Sequence, residues 1–273
     1  MNDSGYVPVA IPAGWRIIHL QSVDSTNDYA WRLAENGAPH GQVVVADRQT
    51  GGRGRRGRIW RSPPGANLTF SLVLRPAIPP AAAVPLSLVA AVALFSCLET
   101  EISCLTIKWP NDLYCGDRKL AGILSELKLR DRKTDFVVVG IGLNVNTLLA
   151  DWPPELRETA ISMRQAAGKQ FQLPEVLQQF LTFFHCCYEQ YCVGGLQDSV
   201  LEILRKYSYL SGRQVVVEVN GRMIQGQAGE IDEHGRLLVY DESGSCRPIA
   251  AGEATIVSMN AADKKGDDHD FGG

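Results

Sequence analysis

The sequence predicts an α/β (α+β) protein in two parts: a large mixed-sheet domain over residues 15–210 and a small all-β barrel over residues 211–259. Three observations carry that expectation. β-Branched runs alternate with segments of helical three-and-four spacing as far as Tyr207. From Ser211 the texture changes to short strands separated by Asn220-Gly221, His234-Gly235, Ser243-Gly244 and Ala251-Gly252. A length of 273 residues, 45% of them apolar, suffices for one large core and a smaller one.

The elements follow in order. Trp15 to Leu20 alternates as a first strand, and Asp24 or Ser25 caps a helix that Asn36-Gly37 ends. Gln42 to Asp47 is a β-branched run that reads as a buried strand. Asn67 to Arg75 alternates, with Leu68, Phe70, Leu72 and Leu74 on one face. Pro85 opens an apolar helix from Leu86 to Glu99. Leu105 to Lys108 is a strand stopped by Trp109-Pro110, and Cys115 to Arg118 is a hairpin turn with Lys119 at the mouth of the return strand. Asp135 to Asn146 is a long strand whose Gly140 and Gly142 mark a close backbone approach or a bulge. Residues 147–172 read as loop and a short helix, followed by helices from Pro174 to about Cys192 and from Leu196 to Tyr207. Five short strands follow, from Gln214 to Met259.

Composition bounds the rest. The net charge is −3 and the isoelectric point about 6.0, so the chain as a whole is no polyanion binder. Residues 1–14 read as a flexible leader without signal-peptide order, and the polar residues 260–273 as a disordered tail. No apolar run reads as long enough for a membrane span. The seven cysteines, odd in number and without Cys-x-x-Cys spacing, read as reduced thiols in the cytoplasm. A zinc site from His185, Cys186, Cys187 and Cys192 has the wrong spacing.

Two stretches stand out against this background. Gly51 to Trp60 packs four glycines and four arginines ahead of a tryptophan. Glycine brings backbone N–H groups close to an anion, and guanidinium forks surround it. Taken alone, the segment is equally readable as a solvated basic loop. The second, Lys108-Trp109-Pro110-Asn111-Asp112-Leu113, holds a cation, an amide and a carboxylate on a proline-fixed turn. Gly140-x-Gly142 is no dinucleotide fingerprint, and no P-loop is present.

Together with Lys119-Leu120-Ala121-Gly122-Ile123-Leu124, these stretches resemble the biotin–protein ligases. Asp24-Ser25-Thr26-Asn27 before the loop and Gly142-Leu143-Asn144-Val145-Asn146 after it match as well, so the resemblance spans roughly residues 15–259. It implies a catalytic domain like that of the class II aminoacyl-tRNA synthetases, followed by an SH3-like barrel. It also implies a short form without the family's DNA-binding winged helix, hence no DNA partner and no membrane. A homodimer, as in some members, could use an exposed sheet edge.

The implied chemistry is activation of biotin by MgATP to biotinyl-5′-AMP and pyrophosphate, then transfer to a lysine of a biotin carboxyl carrier domain. Bringing a carboxylate to an α-phosphate needs fixed cations and N–H donors. Carried over by matching motif positions, Lys119 and Arg53 would be catalytic. Ser25, Thr26, Gln49 and Gly52, with Arg53 and Lys119, would hold biotin. Arg55, Arg58, Trp60, Lys108, Asp112 and Asn144 would join Arg53 around ATP. Trp60 would lie against the adenine; the lesser alternative is an ordinary core tryptophan. Asp112 could hold Mg²⁺ through water, or orient Lys108 or an arginine. Two alternatives stand beside this reading: a lipoate–protein ligase of the same fold, and a non-enzymatic nucleic-acid-binding protein.

Overall fold

The computed structural model describes residues 11–257; the expectations for most of the leader and for the tail lie outside the described residues. The elements run β1 (Arg16–Leu20), α1 (Thr26–Glu35), β2 (Gln42–Ala46), β3 (Leu68–Leu74), α2 (Pro80–Ala83), α3 (Leu86–Leu98), β4 (Leu105–Lys108), β5 (Asp112–Cys115), β6 (Arg118–Arg130) and β7 (Lys133–Leu143). Then come α4 (Met163–Ala167), α5 (Leu173–Gly194) and α6 (Asp198–Lys206). The chain ends in β8 (Gln214–Val219), β9 (Arg222–Ile231), β10 (Leu237–Tyr240), β11 (Cys246–Ile249) and β12 (Glu253–Ile256).

β1 to β7 form one mixed sheet in the order β1-β2-β3-β7-β6-β5-β4. Only β1 and β2 are parallel, and α1 supplies the crossover that such a pair requires. Helix α1 covers one face of the sheet, where Ala30 and Ala34 meet Val44, Val73, Phe136 and Val138. Val43 and Val45 point the other way, into the main core with α3 and α5. The uninterrupted Val43-Val44-Val45 run is therefore a strand buried on both faces.

Helix α3 is apolar all round and nearly all of it is buried, as expected of a core helix. One expectation is corrected here. The helical stretch Pro80–Leu98 is long and apolar enough to cross a membrane by length and composition. Pro85 divides this stretch in the sequence, and most of it lies buried inside the fold.

The five C-terminal strands form a second, antiparallel sheet in the order β11-β10-β9-β8-β12. The segment after α6 joins it to the main sheet along the β4 edge: Ile107 N–H donates to Tyr207 O at 2.7 Å, and Tyr209 N–H to Ile107 O at 2.9 Å. Buried Trp109 donates its indole N–H to Gly235 O at 3.0 Å, between β9 and β10. The C-terminal unit is thereby seated beside the Lys108–Asp112 turn.

The expectation that all thiols are reduced is also corrected. Cys104 and Cys115 form a disulfide, because the β4–β5 hairpin brings their Cα atoms to 4.9 Å. Cys97, Cys186, Cys187, Cys192 and Cys246 are free. Among the described residues no His/Cys/Asp/Glu cluster suits a metal ion.

His40 ties the α1–β2 loop to α5. Its ring stacks on Tyr188 at 5.2 Å, and its Nδ1 accepts from Arg75 N–H at 3.3 Å. Burial holds its pKa below the ordinary value; His185 adds to this, against an opposing pull from Glu189. The unfolded chain therefore takes the proton first as pH falls. Stability is full above the unfolded value of about 6.5 and declines below it until the lower folded pKa is reached. The melting temperature should drop between pH 7.5 and 5.5, and drop less in His40→Gln.

Candidate active site

The glycine–arginine loop is anchored at both ends by backbone. Thr50 N–H donates to Val23 O at 2.9 Å and Gly51 N–H to Asp24 O at 2.8 Å, which zips the loop to the start of α1. Gly54 N–H donates to Arg58 O at 2.7 Å and Trp60 N–H to Gly52 O at 2.9 Å, which folds residues 52–60 back on themselves. A Cβ at Gly52 would sit 2.6 Å from Trp60 O, so only glycine fits there.

At the start of α1, Ser25 is the N-cap and its hydroxyl accepts from Asp28 N–H. Gln49 Oε1 accepts from Thr26 N–H at 2.7 Å and from the Thr26 hydroxyl at 3.1 Å. Asn27 reaches across the sheet and donates to Leu124 O at 3.2 Å and to Glu126 Oε2 at 2.9 Å. The hydroxyl of Ser71, 2.6 Å from Asn27 Oδ1, closes this network. A Cβ at Gly140 would fall 1.8 Å from Asn27 Oδ1, so this glycine makes room for the amide.

Three adjacent strands carry the charged wall. Lys108 pairs with Asp112 across β4 and β5, and Asp112 with Gly122 across β5 and β6. Alternation sends Ile107 and Leu113 into the core and leaves Lys108, Asp112 and Tyr114 on the opposite face. A register shift in β6 then opposes Tyr114 to Lys119. The bulge turns both Leu120 and Ala121 into the core and leaves Lys119 facing the cavity. Lys119 Nζ stands 2.8 Å from Asp112 Oδ1, an ion pair without the angle of a hydrogen bond, and 5.9 Å from the Trp60 ring centroid. Trp60 lies over Gly142 and Gly122, which face each other across β7 and β6. A Cβ at Gly142 would come within 2.3 Å of the indole.

These groups surround a cavity of about 330 Å³. Ser25, Thr26, Gln49, Arg53, Arg55, Arg58, Trp60, Lys108, Asp112, Lys119 and Asn144 all line it. Gly52 does not, and acts through the backbone bond to Trp60. The arginines differ in their partners. Arg53 is turned to Asp28 at 2.6 Å and Glu126 at 2.8 Å, and Arg55 donates to Asn111 Oδ1 at 3.2 Å. Arg56 is paired with Glu218 and Arg58 with Glu253, both on the C-terminal unit. Burial pulls down the pKa of Arg55 and of Lys108, with Asp112 opposing in each case. Trp60 Nε1 and Asn144 Oδ1, buried in the cavity wall, have no hydrogen-bond partner among the described residues: one donor and one acceptor for a ligand.

Sequence reasoning did not assign roles to Asn27, Ser71, Asn111, Glu126 or Glu218. Asn27 and Asn111 belong to the Asp24–Asn27 and Lys108–Leu113 stretches. Glu126 and Glu218 had no local signal, being 73 and 162 residues from the arginines they meet.

Comparison with known proteins bears on this site. A model of the biotin/lipoate A/B protein ligase family matches residues 19–144, and one of the biotin protein ligase C-terminal domain matches residues 210–256. The bifunctional ligase/repressor BirA of Bacillus subtilis is 37% identical over 232 residues, covering 85% of this chain and 71% of that protein. The chain belongs to the biotin protein ligase family. Family members of similar span include the biotin–[acetyl-CoA-carboxylase] ligase of Mycobacterium tuberculosis, 31% identical over 249 residues, with 88% and 89% of the two chains covered. The structure of a biotin protein ligase from Aquifex aeolicus in complex with biotin and ATP superposes with a TM-score of 0.76 at 30% identity, covering 88% of this chain and 98% of that one.

The glycine floor gives a direct test. Gly142→Ala should fold, because the clash is with a loop side chain, yet it should lift Trp60 from β7. The expected result is a several-fold weaker nucleotide interaction and altered Trp60 fluorescence, with a melting temperature close to that of the parent.

Proposed function

We infer that this chain is a biotin–protein ligase that activates biotin with ATP and transfers it to a biotin carboxyl carrier domain. The observation that carries this reading is one cavity uniting the α1 hydroxyls and the Gln49 amide with the cations Arg55, Lys108 and Lys119. Match of the C-terminal unit to the biotin protein ligase C-terminal domain favours biotin over lipoate, which the N-terminal match does not separate.

In the first step a biotin carboxylate oxygen attacks the α-phosphorus of ATP, and the bond to pyrophosphate breaks. The two reactants are both anionic. Lys119 neutralises the carboxylate and the α-phosphate together, and exchanges its Asp112 partner for them. Arg55 is better placed than Arg53 for the same anions, since Arg53 is held by Asp28 and Glu126. Ser25, Thr26 and Gln49 supply the donors and acceptors that the ureido ring of biotin needs, and such a set rejects analogues lacking those groups. Trp60 covers the nucleotide, and the Asn144 amide oxygen accepts from the adenine amino group. In the second step a carrier lysine, as the free amine, attacks the acyl carbon; the bond to AMP breaks and the amine loses a proton.

Mg²⁺ fits this wall as an ion carried in on the phosphates. Among the described residues, Asp112 is the one carboxylate that both lines the cavity and is not paired with an arginine. Mg²⁺ commonly binds through one or two carboxylates plus substrate phosphates.

The test is ATP–pyrophosphate exchange with biotin and, in parallel, with lipoate. Exchange is expected with biotin alone, and a loss of about 100-fold or more in Lys119→Ala, the size seen when an electrostatic transition-state contact is removed. Exchange with lipoate only would overturn the substrate while keeping the reaction class.

A further inference from the structure

Lys108 differs from every other cation in the cavity. Among the described residues Lys119 is paired with Asp112, Arg53 with Asp28 and Glu126, Arg56 and Arg58 with glutamates, and Arg55 with the Asn111 amide. No ion pair or hydrogen bond is found for the Lys108 ammonium among those residues. It rests instead on two aromatic faces, 5.1 Å from the Tyr114 ring centroid and 5.8 Å from that of Tyr209.

The two rings form a built support. They stack on each other at 4.8 Å. Tyr114 is fixed by the β4–β5 register that also positions Lys108. Tyr209 belongs to the segment hydrogen-bonded along β4 and is almost fully buried. Its hydroxyl donates to Asp117 Oδ1 at 2.8 Å, and the Arg213 guanidinium lies 4.3 Å from its ring centroid. The rigid side of the stack is thus anchored from the β5–β6 turn and from the start of the C-terminal unit.

We propose that Tyr114 and Tyr209 are positioning residues for adenylation, a platform that holds Lys108 in the cavity as an uncommitted cation for the phosphate chain of ATP. This rests on the ligase reading above. An aromatic face steadies an ammonium without neutralising it, so the full charge stays available to an incoming anion. A carboxylate in the same place would have to be displaced first. Burial lowers the pKa of Lys108; the Asp112 and Glu253 carboxylates pull against this, and the neighbouring cations Lys119 and Arg58 push the same way as burial. An unpaired charge in that setting gains most when phosphate arrives.

Biotin-dependent ATP–pyrophosphate exchange tests this, with the KM values for ATP and biotin read separately. Tyr114→Leu should raise the KM for ATP roughly three- to tenfold, the range of one cation–π contact, and leave the KM for biotin unchanged. Tyr114→Phe should restore most of the loss, because it keeps the ring and drops only the hydroxyl. In a Lys108→Met background, Tyr114→Leu should add nothing further. A graded series guards against misfolding: Tyr114→Phe carrying one, two or three ring fluorines keeps the shape while draining the ring face of charge. The KM for ATP should climb along it. A flat series, or additive effects of Tyr114→Leu and Lys108→Met, would overturn the platform while biotin-dependent exchange by the parent upheld the ligase. No exchange by the folded parent with Mg²⁺ present would overturn both.

Discussion

A single extra residue in β6 decides which way the central lysine faces. Without the bulge between Leu113 and Tyr114, strict alternation from Gly122 would place Leu120 toward the cavity and Lys119 toward the core. With it, Leu120 is fully buried among apolar side chains and Lys119 stands across from Tyr114. The strands on either side depend on the same register. Gly122 is set opposite Gly142, and the two leave the flat floor on which Trp60 lies. Asp112 is set beside Lys119, and Lys108 beside Asp112. Core packing of Leu120 and Ala121 therefore holds the charged wall in place.

The second constraint is the absence of a side chain at Gly140 and Gly142 of β7. Gly140 admits the Asn27 amide and Gly142 admits the Trp60 indole. Through Asn27 the N-terminal end of α1 is tied to β6 by the bonds to Leu124 O and Glu126. The polar end and the charged end of the cavity are thereby fixed to one pair of strands. Rigid elements of this kind position ligands more closely than loops do.

Much of this was readable in the sequence, and the limits have physical reasons. The strands and helices followed from alternation and from three-and-four spacing, because one face of each packs on a core. The glycines in β7 announced a close approach, though not what approached. The motif residues could be picked out as a group because they sit in short, dense stretches, and apart from Gly52 they line one cavity. Some of their partners could not. Glu126 and Glu218 are ordinary surface acids until the chain folds, and nothing local sets them apart. The Cys104–Cys115 bond likewise depends on hairpin pairing and not on a spacing motif. Arg53 shows the same limit: the motif placed it near the anions, while the geometry turns its guanidinium toward two carboxylates and leaves Arg55 closer to the Lys108–Asp112 turn.

The ion pairs that hold Arg56 and Arg58 to the C-terminal unit bear on how ATP is met. A loop with four bare arginines would carry a condensed cloud of small anions, and a polyphosphate would displace them on binding. Here Glu218 and Glu253 already occupy two of those guanidinium groups. A phosphate taking their place exchanges one anion for another within the protein, and few dissolved ions change sides. The affinity for ATP should then vary with ionic strength more gently than the composition of the loop suggests.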